Sequence, residues 1–133
     1  MFSLRTINAM SGTEFMKSFS AVYESSPWVA ERASQMRPFD SSEDLFSAMR
    51  RSVDEASQAD QDALIRAHPD LGGKLARGGQ LTADSAREQS RLGLDQLDDA
   101  DYATFDSLNT AYKKRFDFPF IICVGLLQDR KQI

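Results

Sequence analysis

The chain has 133 residues, 41% of them hydrophobic, a length suited to one domain that withdraws about two-thirds of its unfolded surface from water without a disulfide or metal staple. Its net charge is -4, from 16 basic and 20 acidic residues, which argues against the basic face of a nucleic-acid partner. The cations Lys113, Lys114, Arg115, Arg130 and Lys131 are too scattered to reverse that balance. One histidine and one cysteine exclude an intramolecular disulfide and an N/S-ligated zinc site, and no carboxylate spacing suggests an oxygen-ligated metal. The longest apolar run, Phe118 to Leu127, is about half the length of a membrane span. The start Met1-Phe2-Ser3-Leu4-Arg5 lacks the apolar core of a signal peptide. The expectation is a cytoplasmic protein with no membrane partner.

Helical periodicity begins at residue 11. Ser11-Gly12-Thr13-Glu14 has the form of a capping box, and Phe15, Phe19, Val22 and Tyr23 follow on one face. Ser26-Pro27 supplies a cap and a first-turn proline for a second helix that ends before Pro38. A third starts at Ser41 or Ser42 with Leu45, Met49 and Val53 inward, and a short fourth after Ser57 leads through Leu64 and Ile65 to His68. Leu71 to Leu81 holds four glycines and reads as a loop, in which Lys74 and Arg77 are expected to be solvated. Thr82 caps a helix from Ala83 to Leu92. Asp98 caps the last, whose stripe of Tyr102, Phe105, Leu108, Tyr112 and Phe116 reads as core. Phe118-Pro119-Phe120-Ile121-Ile122 breaks that helix and reads as an extended buried segment, with Cys123 a buried reduced thiol. The fold class expected is all-α, a compact single-domain bundle.

The residues that attract chemistry lie on either side of the glycine loop. His68 precedes a proline, which ends the helix before it and leaves the ring at a helix C-terminus, where partial negative charge favours a cation. Ser85, Glu88 and Gln89 share a face of the next helix, and about a dozen glycine-rich residues suffice to bring that face back beside the imidazole, the pairing general acid-base catalysis uses. Two alternatives fail. Gly72-Gly73-Lys74 is not a phosphate loop, because His68 stands where its first glycine belongs and Leu75 where Ser or Thr would bind magnesium. Ser85 lacks the glycines of a nucleophile elbow.

Taken together, His68-Pro69-Asp70-Leu71, Leu81-Thr82 leading to Ser85-x-x-Glu88-Gln89-Ser90, Leu108-Asn109-x-x-Tyr112-Lys113-x-Arg115-Phe116 and Phe118-Pro119-Phe120-Ile121-Ile122-Cys123 resemble the OHCU decarboxylase family. OHCU is 2-oxo-4-hydroxy-4-carboxy-5-ureidoimidazoline. Arg37-Pro38-Phe39 also fits, so the likeness spans nearly the whole chain. It implies an all-helical, cofactor-free, homodimeric enzyme of urate breakdown, a carbon-carbon lyase that makes (S)-allantoin and carbon dioxide, peroxisomal if the cell is eukaryotic. By matching position it implies His68 as the catalytic histidine and Glu88 as its carboxylate partner. Pro69, Ser85, Gln89 and the backbone of Phe120, Ile121, Ile122, Cys123 and Val124 would surround the substrate.

Two departures go with the likeness. Asp117 replaces the usual glycine of the Phe-Gly-Phe-Pro-Phe motif, a position that suits glycine if the backbone there needs positive φ. Family members also continue into further C-terminal helices with a substrate-side arginine, which a domain of residues 1–133 is expected to lack. The alternative from another class is a non-catalytic helical binding module on the same fold, with apolar surface around Phe118 to Leu127 left for a partner.

Overall fold

The computed structural model describes residues 2–133. Among them all regular structure is helical, so the chain is all-α. It forms two compact units, one ending at Ala67 and one of His68–Ile133. Among the described residues no helix is long and apolar enough to cross a membrane.

The first unit contains α1 (Leu4–Ala9), α2 (Gly12–Phe19), α3 (Pro27–Ser34), α4 (Ser42–Asp54) and α5 (Gln58–Arg66). Side chains start most of these helices. Ser3, Ser11, Ser41 and Ser57 each accept a backbone N–H of the first turn, filling donors that a helix start leaves open. α3 packs on α2 and α4 around Phe15, Val29, Ala33, Phe39 and Met49, and Phe15 is wholly buried. The expected capping box is present: the Glu14 amide donates to Ser11 Oγ at 3.2 Å and the Ser11 amide to Glu14 Oε2 at 2.8 Å.

Ser11→Ala should therefore lower stability by about 1 kcal/mol, measured as a shift in the denaturant midpoint. The Ser11 backbone bond, and then its hydroxyl, hold the Glu14 carboxyl below its ordinary value of 4.5. A carboxyl depressed by folding stabilises fully above its unfolded value, and the gain disappears as pH falls through the lowered one. The gap between wild type and Ser11→Ala should accordingly narrow on acidification below pH 4.5.

The second unit holds α6 (Lys74–Arg77), α7 (Ala83–Ser90), α8 (Asp99–Phe116) and 3-10 turns at Val124–Leu126 and Arg130–Gln132. Its core is Leu71, Leu94, Leu97 and Val124, with Tyr102, Phe105, Phe120 and Ile122 packed against it. Thr82 and Asp98 cap α7 and α8 as their sequence suggests. α8 ends with Asp117 at φ 65°, the left-handed conformation that favours glycine there.

Several expectations need correction. α1 precedes residue 11, and at six residues it is too short to show a period. α2 stops at Phe19, which leaves Val22 outside it and 56% exposed. Pro27 opens α3, but the Ser26 hydroxyl makes no capping bond. The glycine loop contains the single turn α6, and Arg77 is not merely solvated: it pairs with Asp99 at 2.5 Å and stacks over Tyr102 at 4.6 Å. The α8 stripe is not a continuous core line. Asn109 is the residue α8 buries, between half-buried Phe105 and Tyr112, while Leu108 lies one helical step to the side and is 64% exposed.

The segment after α8 carries no helix until Val124 and is only half buried, its side chains alternating between inside and outside from Phe120 onward. Phe120 and Ile122 pack on the core and Val124 is buried, whereas Ile121 and Cys123 are exposed. The thiol expected inside is outside.

Candidate active site

His68 follows directly on the end of α5, where Ala67 is the cap and Pro69 forbids further helix. Both His68 and Pro69 are half-buried. The chain then runs through Asp70, Leu71 and Gly72, and each of these residues is tied from outside by one side chain. Lys113 Nζ meets Asp70 Oδ2 at 2.6 Å, Asn109 Nδ2 donates to the Leu71 carbonyl at 2.9 Å, and the Gly72 amide donates to Gln89 Oε1 at 3.0 Å. Gly72 sits at φ +59°, and a Cβ there would come within 2.7 Å of Leu97 Cδ1, so the strip lies hard against the core.

α7 supplies the other half of the arrangement. Thr82 Oγ1 accepts the Ser85 amide at 3.4 Å and starts the helix, and Ser85 then falls half-buried, Gln89 buried and Glu88 exposed. Because the Gly72 amide can only donate, it fixes the Gln89 oxygen inward and leaves the amide nitrogen as a donor for something else.

Glu88 reaches the second strip. Its Oε1 accepts the Gly125 amide at 3.2 Å, in the 3-10 turn that begins at Val124. A Cβ on Gly125 would stand 3.7 Å from Cys123 Sγ and 3.9 Å from that same oxygen, so thiol, carboxylate and open backbone gather at one point. One turn further along, Arg91 Nη2 donates to the carbonyls of Val124 at 2.5 Å and Leu127 at 2.6 Å.

The remaining candidate residues thus fall on two backbone strips, His68–Gly72 and Phe120–Leu127, fastened by Glu88 and Gln89 of α7 and by Arg91, which caps that helix. Sequence reading missed Arg91, Asn109 and Lys113 as contributors. Asn109 and Lys113 do lie within the Leu-Asn-x-x-Tyr-Lys motif, which marks their positions without giving them a task. A cavity of about 280 Å3 opens behind the first strip, lined by Asp70, Lys74 and Lys113 among others, and none of the expected site residues lines it.

Gln89 and Glu88 thus bring the Gly72 amide and the Gly125 amide to neighbouring positions of one helix, with a carboxamide nitrogen and an exposed carboxylate on that helix. Comparison with known proteins covers most of the chain. The sequence profile of the family described as OHCU decarboxylase matches residues 8–133. The 2-oxo-4-hydroxy-4-carboxy-5-ureidoimidazoline decarboxylase of Haloferax volcanii is 44% identical over 122 residues, which is 92% of this chain and 70% of that protein. The protein of the same name from Amia calva is 42% identical over 123 residues, again 92% and 70%. The uric acid degradation bifunctional protein of Bacillus subtilis is 38% identical over 124 residues, 93% of this chain and 24% of its own length.

Proposed function

The chain belongs to the OHCU decarboxylase family, and from that premise we propose that it is a carbon-carbon lyase converting 2-oxo-4-hydroxy-4-carboxy-5-ureidoimidazoline to (S)-allantoin in urate breakdown. The observation that carries this reading is the convergence of the His68 strip and the Gly125 turn on neighbouring residues of one helix, Gln89 and Glu88.

The reaction asks little of a cofactor. When the bond from C4 to the carboxylate breaks, carbon dioxide leaves and the electron pair moves into a C4–C5 double bond, while the electrons of the C5 imine pass to its nitrogen. The ring is its own electron sink, a task for which other decarboxylases borrow a cofactor. The nitrogen takes up a proton, the 4-hydroxyl loses one as C4 becomes a carbonyl, and C5 gains one, so one proton is consumed from solvent overall. The protein has to place the ring and handle those protons.

His68 takes the hydroxyl proton and returns a proton to one face of C5, which sets the S configuration. Glu88 is its carboxylate partner, oriented by the Gly125 amide. General acid-base assistance of this kind contributes roughly two to four powers of ten. Gln89 offers its amide nitrogen to a ring or ureido carbonyl. Ser85, Pro69 and the main chain of Phe120, Ile121, Ile122, Cys123 and Val124 complete the surround, and polar contacts there disfavour analogues that lack a partner. A homodimer belongs to the same reading and is supported by the exposed Leu108, Phe116, Ile121 and Leu126.

The test generates the substrate in situ from urate and follows (S)-allantoin by circular dichroism against the spontaneous reaction. Added protein should raise the initial rate in proportion to its concentration and yield one enantiomer. A rate that added protein leaves unchanged would remove the decarboxylase reading in favour of a binding module.

A further inference from the structure

α8 is an 18-residue helix, and the residue it buries is an amide rather than a hydrocarbon. Asn109 is 7% exposed, on the line between Phe105 and Tyr112 where a leucine would add apolar burial to the core. A buried amide at such a place is retained for the bond it makes, and that bond runs 2.9 Å from Nδ2 to the Leu71 carbonyl. Lys113 is four residues further along, on the same face, and its Nζ meets Asp70 at 2.6 Å. The side chains of that ion pair are 45% and 28% exposed, so water screens it and its contribution to stability is small. Its effect is to set register.

Both bonds land just beyond His68-Pro69. The proline ring fixes its own φ and narrows the choices of the residue before it, so His68 and Pro69 form a stiff lever with little freedom of their own. What holds Asp70 and Leu71 therefore helps to set where the imidazole stands.

We propose that Asn109 and Lys113 are positioning residues for His68, holding from one face of α8 the strip that carries the imidazole. Only the kinetic half of the test depends on the decarboxylase reading. Its other half uses the fact that the chain has one histidine, whose ring protons give a single, self-assigned set of NMR signals.

Asn109→Leu keeps the size and removes the donor. We expect it to stay folded, to move the His68 ring signals towards those of an unconstrained histidine, and to lower kcat about tenfold to a hundredfold with KM changed less than threefold. Lys113→Met should do the same more weakly, with Lys113→Arg restoring most of the loss. Should Asn109→Leu not fold, the two Lys113 variants decide the question through Asp70, since the lysine side chain is half exposed and its removal leaves the core intact. Unmoved ring signals in the folded variants, or a loss that appears in KM with kcat intact, overturns the proposal. Ring signals that move in a protein whose wild type adds nothing to the spontaneous rate would overturn the decarboxylase reading and leave the positioning role standing.

Discussion

His68→Ala is expected to reduce the protein-dependent rate of (S)-allantoin formation by about two to four powers of ten while the helical content and unfolding midpoint stay close to wild type. The magnitude follows from the chemistry: the imine accepts the electrons whether or not a protein is present, so what an enzyme adds is placement of the ring and management of the proton transfers to and from it. His68 is the side chain in the chain best suited to that exchange near neutrality. The fold should tolerate its removal, because the ring is half-buried and lies outside both apolar clusters. Stereochemistry sharpens the test. If His68 delivers the proton to C5, the residual product of His68→Ala should approach the racemic mixture of the uncatalysed reaction, visible as a loss of dichroism at equal total allantoin. Near-normal turnover, or full stereoselectivity at low turnover, would take the proton transfer away from His68.

How far the sequence foretold this arrangement depends on where each residue's partner lies. Helix starts were legible where a side chain caps its own first turn, as with Ser11, Ser41, Thr82 and Asp98, because cap and capped amide are three residues apart or fewer. α1 and α6, of six and four residues, were not, since a period needs more length to show. The α8 stripe misled for a related reason. Counting apolar residues selects Leu108, whereas the inward line passes through Asn109, and a polar residue on a core line is invisible to hydropathy.

The candidate site divides in the same way. His68 stood out through the following proline, and Glu88 and Gln89 through their spacing and the family motif. The residues that fasten the strips did not, because Arg91, Asn109 and Lys113 find their partners 33, 38 and 43 positions away. Two of these bond main-chain carbonyls, which every residue type carries, so nothing in the partner's identity announces the contact. The left-handed turn at Asp117 was readable only against the glycine usual in the family, and the structure places it at positive φ.

Gly72→Ala carries the largest stability loss we expect from a single methyl group. Two effects add. The backbone at φ +59° is strained for any residue with a Cβ, by roughly 1–2 kcal/mol. The new carbon would also stand 2.7 Å from Leu97 Cδ1 and 3.4 Å from the Phe105 ring, inside a core where Leu97 is 8% exposed and has little room to retreat. Overpacking of that kind costs about 1–3 kcal/mol, so the total is about 2–5 kcal/mol, a large part of the stability of a small protein. Gly93→Ala separates the two contributions. Gly93 has nearly the same backbone, φ +67°, yet nothing lies within 4 Å of its added carbon, so it should lose stability through strain alone. Denaturant midpoints of the two variants, taken at equal slope, should therefore differ by about 1–3 kcal/mol, with Gly72→Ala the weaker. The functional effect should separate them further. With Leu97 buried, part of the relief should come from the Gly72 backbone, which draws its amide off Gln89 and shifts the strip that carries His68, so residual folded Gly72→Ala should turn over more slowly than folded Gly93→Ala. Equal midpoints would mean the core beside Gly72 yields to a methyl group, and the strip is then held less firmly than its contacts imply.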